Sequence, residues 1–339
     1  MSRTVRIGLP RAMLYHKRHV LWSAFFEGIG CETLASPPST VRTLERGAAL
    51  SVDETCLSMK LFLGHVETLA GRVDAVLVPH VTSPRRGEEA CVKMMGAYDI
   101  ARHALPEVPL VAYELDEDRR MSERRGLVRL GRELGASTLR ARRAYGDAVT
   151  AQVAHEHEAA REQLALLDAD DGRPRVLLVG HAYNLGDELI GGPVRRILSA
   201  LDVCVIDAEA LGHVAPDGLH AAISEDVNWT YNKQLLNALE FAHERVDGVV
   251  FVVAFPCGPD ALMVELCQRR LRGLPSIALV LDELTSPTGL QTRLESFVDI
   301  LTLSRGSAAV TDAVCDPAGC SACAGAAVSG GESACQARR

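Results

Sequence analysis

An unbroken apolar run over residues 249–255 places the strongest constraint on the fold. It follows Asp247-Gly248 and ends at Pro-Cys-Gly-Pro, a pattern typical of a strand buried on both faces. Such strands belong to parallel sheets that helices cover on both sides. The run brings Cys257 to the carboxyl end of its strand, and open α/β sheets bind ligands at that edge. We therefore expect a parallel α/β fold with Cys257 at its functional edge.

An internal repeat extends this prediction to the whole chain. Asp-x-x-Cys-x-x-x-Lys at residue 53 returns as Asp-x-x-Trp-x-x-x-Lys at residue 226, an offset of 173. The strand-like segments that begin Pro-Leu-Val-Ala at residue 109 and Pro-Ser-Ile-Ala at residue 275 differ by only 166, which implies a loop deletion. The repeat predicts an α/β fold of two Rossmann-like lobes from an internal duplication, with parallel sheets flanked by helices. The cleft between the lobes is the natural place for a site.

Composition divides the chain into four segments. We expect a first Rossmann-like lobe over residues 1–116 and a second over residues 173–303. Residues 117–172 are charged and Ala-rich with no strand candidate, so they predict a helical connector. Residues 304–339 form a Cys/Gly/Ala-rich segment without apolar periodicity, typical of a flexible, disordered tail. The tail cysteines have a spacing similar to that of plant-type ferredoxins, which leaves a metal role open for Cys315, Cys320, Cys323 and Cys335.

Charge and hydropathy exclude two classes of partner. The net charge of -8 and the lack of a basic stripe with aromatics argue against nucleic acid. No apolar run approaches the ~20 residues of a membrane span, so we expect a cytoplasmic protein. In a reducing compartment the ten cysteines are metal ligands or bystanders rather than disulfide partners.

Three of these cysteines are predicted at one edge of the sheets. Cys56 falls in the first turn of a predicted helix that Asp53 caps, Cys91 follows a strand in a loop, and Cys257 ends the apolar run. Three thiolates from three segments suit a 4Fe-4S cluster with one open iron, since thiolates select iron-sulfur centres or zinc. Buried structural cysteines are an equally weighted alternative on spacing alone.

Other candidate site residues lie near these cysteines. Lys60 and Lys93 follow Cys56 and Cys91 closely, and a cation there would stabilise a reduced, anionic cluster; solvated surface lysines are the alternative. His181, Tyr183 and Asn184 follow a predicted strand end, where they would contact cluster sulfurs or a substrate carbonyl. A turn or capping role is the alternative for these three residues.

Five motifs of the sequence belong together as a set. They are Ile7-Gly-Leu-Pro-Arg-Ala-Met-Leu-Tyr15, Val52-Asp-Glu-Thr-Cys-Leu-Ser-Met-Lys60, Gly180-His-Ala-Tyr-Asn-Leu-Gly-Asp-Glu188, Phe255-Pro-Cys-Gly-Pro-Asp260 and Leu281-Asp-Glu-Leu-Thr285. The set resembles the motifs of the acyl-CoA dehydratase activase-related family, which is similar to the iron-sulfur subunits of 2-hydroxyacyl-CoA dehydratases and to double-cubane cluster proteins. The sequence departs from the expected pattern at Val92 and Ala182, where the family has proline.

The resemblance implies a cofactor and a partner. The cofactor would be an iron-sulfur cluster, one 4Fe-4S or a double cubane, with Cys56, Cys91 and Cys257 as ligands. Electrons would come at low potential from a separate ATP-hydrolysing activator of the actin and Hsp70 type. The expected function is that of a 2-hydroxyacyl-CoA dehydratase-type iron-sulfur protein with an acyl-CoA as candidate substrate, working as a homodimer or heteromer. A non-catalytic electron-transfer or cluster-carrier subunit, and a ligand-binding module with zinc or no metal, are the alternatives.

Overall fold

The computed structural model describes residues 4–314, and the side chains of residues 4–304. The strands are β1 (Arg6–Leu9), β2 (Glu32–Ala35), β3 (Ala75–Leu77), β4 (His80–Ser83), β5 (Leu110–Val111), β6 (Glu114–Asp116), β7 (Arg175–Val179), β8 (Cys204–Asp207), β9 (Gly248–Ala254) and β10 (Ser276–Leu281). The α-helices are α1 (Tyr15–Ile29), α2 (Val41–Ala49), α3 (Leu57–Leu69), α4 (Val92–Met95), α5 (Ala97–Ala104), α6 (Glu123–Glu133), α7 (Thr138–Asp168), α8 (Ala182–Leu185), α9 (Gly191–Ala200), α10 (Ala208–Leu211), α11 (Thr230–Ala242), α12 (Gly258–Arg270) and α13 (Pro287–Val314). Two 3-10 helices span Leu219–Ala222 and His243–Arg245.

Two four-stranded sheets form the two lobes and share one topology. The first has the order β2-β1-β3-β5 and the second the order β8-β7-β9-β10, with every neighbouring pair parallel. The prediction of a parallel α/β fold flanked by helices is confirmed, and the equal strand order is what a duplication would produce. Strand β9 is buried along its whole length between β7 and β10, as its apolar run predicts.

The apolar pattern predicts single strands over residues 74–81 and 108–115, but each of these segments is divided in two. Proline at position 79 separates β3 from β4, because a residue without an N–H cannot continue the hydrogen-bonded ladder. The later segment divides into β5 and β6, and β4 and β6 pair with each other in a small two-stranded sheet. The chain then leaves β4 into the loop that ends at Cys91, so this extra sheet helps to position a candidate ligand.

Residues 117–172 are largely helical and contact both lobes. The 31-residue α7 packs along α1 in the first lobe and against β8 and α10 in the second. The contact with α1 is close: a Cβ on Gly28 would lie 2.7 Å from the Cβ of Ala144, so only glycine fits there. This helix therefore fixes the first lobe relative to the second.

The last helix runs further than composition suggests. Helix α13 buries Leu294, Phe297 and Leu301 against the second lobe and continues to Val314, inside the segment that composition assigns to the tail. The tail cysteines at positions 315, 320, 323 and 335 lie outside the described residues. Within residues 4–314, no helix is both long and apolar enough to cross a bilayer.

Candidate metal centre

The three candidate cysteines occupy equivalent positions at the start of three helices. Cys56, Cys91 and Cys257 are the N-cap residues of α3, α4 and α12, each with extended backbone angles. Asp53, the predicted cap of α3, lies one turn earlier and does not cap the helix. All three cysteines line one pocket of about 250 Å³ between the lobes. The tertiary structure thus brings the three thiols to one place.

A pair of matching hydrogen bonds joins the two lobes beside this pocket. The N–H of Leu57 donates to the carbonyl of Phe255 at 3.0 Å, and the N–H of Thr230 donates to the carbonyl of Glu89 at 3.1 Å. The two donors, Leu57 and Thr230, are 173 residues apart, and the two acceptors, Glu89 and Phe255, are 166 residues apart. These are the two offsets of the internal repeat. The lobes therefore meet with approximate twofold symmetry at the pocket.

This symmetry relates the candidate ligands of the pocket to other residues of the repeat. Cys91 corresponds to Cys257 at the offset of 166 residues; Cys257 ends the loop that follows β9, and Cys91 ends the loop that follows β4. Cys56 corresponds to Trp229, which is the N-cap residue of α11 and also lines the pocket. A tryptophan thus occupies the position where symmetry would otherwise supply a fourth cysteine.

The two departures from the expected proline pattern fall on equivalent positions. Val92 follows the cap residue Cys91, and Ala182 follows His181, the N-cap residue of α8. The first helical position favours proline because its N–H has no intrahelical acceptor, but it accepts any residue with helical angles. Valine and alanine therefore leave both helix starts intact.

The pocket makes the three thiols weak acids as long as they are uncomplexed. Burial raises the pKa of each of Cys56, Cys91 and Cys257. The backbone N–H of Met59 and the ammonium of Lys93 act in the opposite direction on the pKa of Cys56. A catalytic nucleophile needs a lowered thiol pKa. These cysteines are better suited to bind a soft cation that displaces their protons.

A buried ion pair lies behind Cys257. Nε2 of His181 lies 2.8 Å from Oδ1 of Asp260, and Nδ2 of Asn232 donates to the same oxygen at 3.0 Å. Burial lowers the pKa of His181, but Asp260 more than offsets this, so the imidazole pKa lies above its ordinary value. Burial raises the pKa of Asp260, and His181 reverses that effect, so the carboxyl pKa lies below its ordinary value. His181 also stacks on Tyr183 with 4.8 Å between ring centroids.

Asn184, one of the residues that line the pocket, carries a donor that has no partner among the described residues. Its Oδ1 accepts a hydrogen bond from the Ser58 hydroxyl at 2.7 Å, which fixes the orientation of the amide. The side chain is fully buried and lines the pocket. Its Nδ2 has no hydrogen-bond partner among the described residues. A buried donor of this kind costs about 1–3 kcal/mol unless a ligand satisfies it.

The two candidate lysines have different surroundings. Lys93 lines the pocket. Lys60 is buried, and its ammonium bonds to Glu283 at 2.8 Å and to the carbonyl of Asp53 at 3.1 Å, while its residue is not part of the pocket lining. Only Lys93 is therefore placed to act on a bound cofactor, and Lys60 joins α3 to the loop after β10.

Sequence reasoning assigned no role to four residues that shape the site. Asp260 and Ser58 stand inside quoted motifs, each within three residues of a candidate ligand, and Trp229 stands at a repeat position. Their places in the motifs and in the repeat are signals from which a role in the site can be predicted. No such signal marks Asn232, because its contact with Asp260 depends on how α11 packs against α12.

The fold and the pocket together define a class: two-lobed parallel α/β proteins with an interlobe pocket lined by three cysteines. The chain belongs to the family described as CoA enzyme activase uncharacterised domain (DUF2229), whose model matches residues 6–211, more than half of the chain. This agrees with the resemblance in the motifs, and the family implies a partner enzyme in an activation system. The match includes Cys56 and Cys91, whereas Cys257 lies beyond it.

Comparison with individual proteins adds little. No curated protein matches the chain significantly. Among solved structures, the chain is similar to the SBP FpvC from P. aeruginosa in complex with a Ni²⁺ ion, at 15% identity over 90% of this chain and 98% of that chain. The TM-score of 0.26 is too low for that likeness to support an argument.

Proposed function

We propose that this protein is an iron-sulfur protein of the 2-hydroxyacyl-CoA dehydratase type, which receives low-potential electrons from a separate ATP-hydrolysing activator of the actin and Hsp70 type. One observation carries the proposal: Cys56, Cys91 and Cys257 begin three helices at a single pocket. Family membership supports the presence of a partner, because an activase and the enzyme that it activates are two components of one system.

The donor set fits a soft-metal cofactor. Three thiolates from three segments suit a 4Fe-4S cluster with one open iron, because thiolates select iron-sulfur centres or zinc. In such a cluster each thiolate binds a different iron, so the starts of three helices around one pocket could each supply one ligand. Among the described residues, no group of three His, Cys, Asp or Glu side chains forms a site for a metal ion. When bound, such a cluster would supply one-electron transfer and an open iron that acts as a Lewis acid.

The residues around the pocket have roles that follow from their positions. The backbone N–H groups at the starts of α3, α4 and α12 favour negative charge on the thiolates. The unpartnered Nδ2 of Asn184 is available to donate to a cluster sulfur or a substrate carbonyl. The hydroxyl of Tyr183 stays protonated, because burial raises its pKa well above the ordinary value, and it is therefore a second donor. His181 supports Tyr183 by stacking rather than by lining the pocket.

The size of the pocket favours a second candidate function, that of an electron-transfer subunit. Its volume of about 250 Å³ is below the ~300–1,000 Å³ of typical small-molecule sites. A cluster and an acyl-CoA thioester would compete for this space unless a partner subunit encloses the rest of the substrate. A carrier that passes electrons to such a partner needs only the cluster.

The first test is chemical analysis of anaerobically reconstituted protein. We expect about four iron and four sulfide per chain, or about eight of each for a double cubane, and an EPR signal after dithionite reduction. Turnover of a 2-hydroxyacyl-CoA with activator and ATP would identify a catalyst, whereas redox cycling without substrate loss would identify a carrier. A chain that remains iron-free after reconstitution would contradict both candidate functions, the catalyst and the electron carrier.

Replacement of Lys93 by methionine should make the bound cluster harder to reduce. Loss of a positive charge at the pocket removes about 1 kcal/mol of stabilisation from the reduced state, which for one electron lowers the midpoint potential by about 40 mV. A redox titration followed by EPR measures this shift. The charge-retaining Lys93→Arg should stay close to wild type, and an equal shift in both variants would show that charge is not the cause.

A further inference from the structure

One strongly charged groove of the molecule has no part in the proposed function. The groove has a volume of about 850 Å³ and is lined by seven arginines and one acidic residue, Glu117. Its lining therefore carries six net positive charges on a chain whose net charge is -8. Two of these arginines, Arg86 and Arg142, come from the loop before α4 and from α7. The remaining arginines come from α6 and the turn before it: Arg120, Arg124, Arg125, Arg129 and Arg132.

Structural contacts account for only part of this charge. All seven arginines are exposed, and among the described residues only Arg129 has a carboxylate partner, Glu133 at 3.1 Å. Arg125, Arg129 and Arg132 follow one another at spacings that place them on one face of α6, where like charges destabilise a helix. The groove therefore concentrates positive charge and neutralises little of it.

The backbone supports a functional role for one of these side chains. Arg120 adopts a φ of 59°, the left-handed region in which glycine is far less strained than other residues. Its carbonyl accepts a hydrogen bond from the guanidinium of Arg125, which holds this turn against α6. The turn therefore holds Arg120 in a conformation that the backbone alone favours for glycine.

We propose that this arginine groove binds a small organic polyphosphate. Guanidinium groups match phosphate oxygens with paired, charge-assisted hydrogen bonds, and several of them can share a multiply charged chain of phosphates. The volume lies in the ~300–1,000 Å³ range of small-molecule sites, which favours a small ligand over a flat protein contact. The proposal does not depend on the cluster, although Arg86 lies in the loop that ends at Cys91.

Two adjacent arginines provide a matched pair of variants. Arg142 lines the groove, whereas its neighbour Arg143 is equally exposed but does not line it. Arg142→Glu and Arg143→Glu change the net charge by the same amount. Tripolyphosphate, titrated calorimetrically into the full-length protein at low ionic strength, should bind about tenfold more weakly to Arg142→Glu and within about twofold of wild type to Arg143→Glu. Arg132→Glu should behave like Arg142→Glu.

Competition identifies the source of the phosphates. Coenzyme A and ATP both carry several phosphates, so each should displace tripolyphosphate from the groove. The compound that displaces it at the lower concentration represents the class of ligand that the groove binds naturally. Adenosine, which has no phosphate, should not compete. Absence of tripolyphosphate binding, or equal weakening in Arg142→Glu and Arg143→Glu, would overturn the proposal. Thermal unfolding of each variant checks that these exposed substitutions leave the fold intact.

Discussion

Replacement of Cys257 by serine is expected to remove most of the iron and sulfide from reconstituted protein, from about four of each per chain to less than about one. Serine keeps the size of the side chain but replaces the soft sulfur ligand with a hard oxygen that iron-sulfur centres do not favour. Because Cys56 and Cys91 line the same pocket, serine at either position should have the same effect. Iron and acid-labile sulfide, measured with the EPR spectrum of dithionite-reduced protein, report the loss.

Cys31→Ala provides the control for this experiment. Cys31 is buried in the core of the first lobe and does not line the pocket, so its replacement should leave the iron content unchanged. Iron retained in all three pocket variants would show that these cysteines are structural. Iron lost equally in Cys31→Ala would point to general instability instead.

Lys17→Met is expected to reduce the free energy of unfolding by about 3–5 kcal/mol, because it leaves a buried carboxylate without its counter-charge. The Lys17 ammonium, on the first helix, bonds to the buried carboxylate of Glu209 in the second lobe and to Gln234 at 2.8 Å. Burial raises the pKa of Glu209, and Lys17 more than reverses this, so the folded-state pKa lies below its ordinary value. Denaturant unfolding at neutral pH measures the difference.

The pH dependence of that difference follows from the sign of the shift. A carboxyl whose pKa is depressed in the folded state stabilises the fold above its unfolded pKa of about 4.3, and this contribution is lost as pH falls through the folded pKa. The difference in the free energy of unfolding between wild type and Lys17→Met should therefore become smaller at acid pH. The double variant Lys17→Met with Glu209→Met removes both charges and should recover most of the stability. No recovery would show that Lys17 acts through its other contacts.

The departures from expectation at the site have one physical origin, which Lys60 and Asp53 illustrate. Lys60 follows Cys56 by one turn, so its position on α3 is predictable, but the direction of its ammonium is not. Its partner Glu283 is 223 residues away and approaches only when the second lobe packs against α3. The N-cap of α3 is likewise Cys56 rather than Asp53, because the chain enters the helix from the interlobe contact between Leu57 and Phe255.

The amino-acid sequence by itself determined the backbone architecture. Apolar runs mark the buried strands, and the repeat predicts two lobes. Strand ends followed by helix starts place Cys56, Cys91 and Cys257 at the edges of their sheets. The sequence suffices for these features because they depend on local patterns and on the geometry of parallel strands. Only the tertiary structure decided which distant side chains meet: the partners of Asp260, the contact that leaves Nδ2 of Asn184 without a partner, and the convergence of arginines in one groove. These contacts join residues far apart in sequence, and local periodicity carries no information about the packing that brings them together.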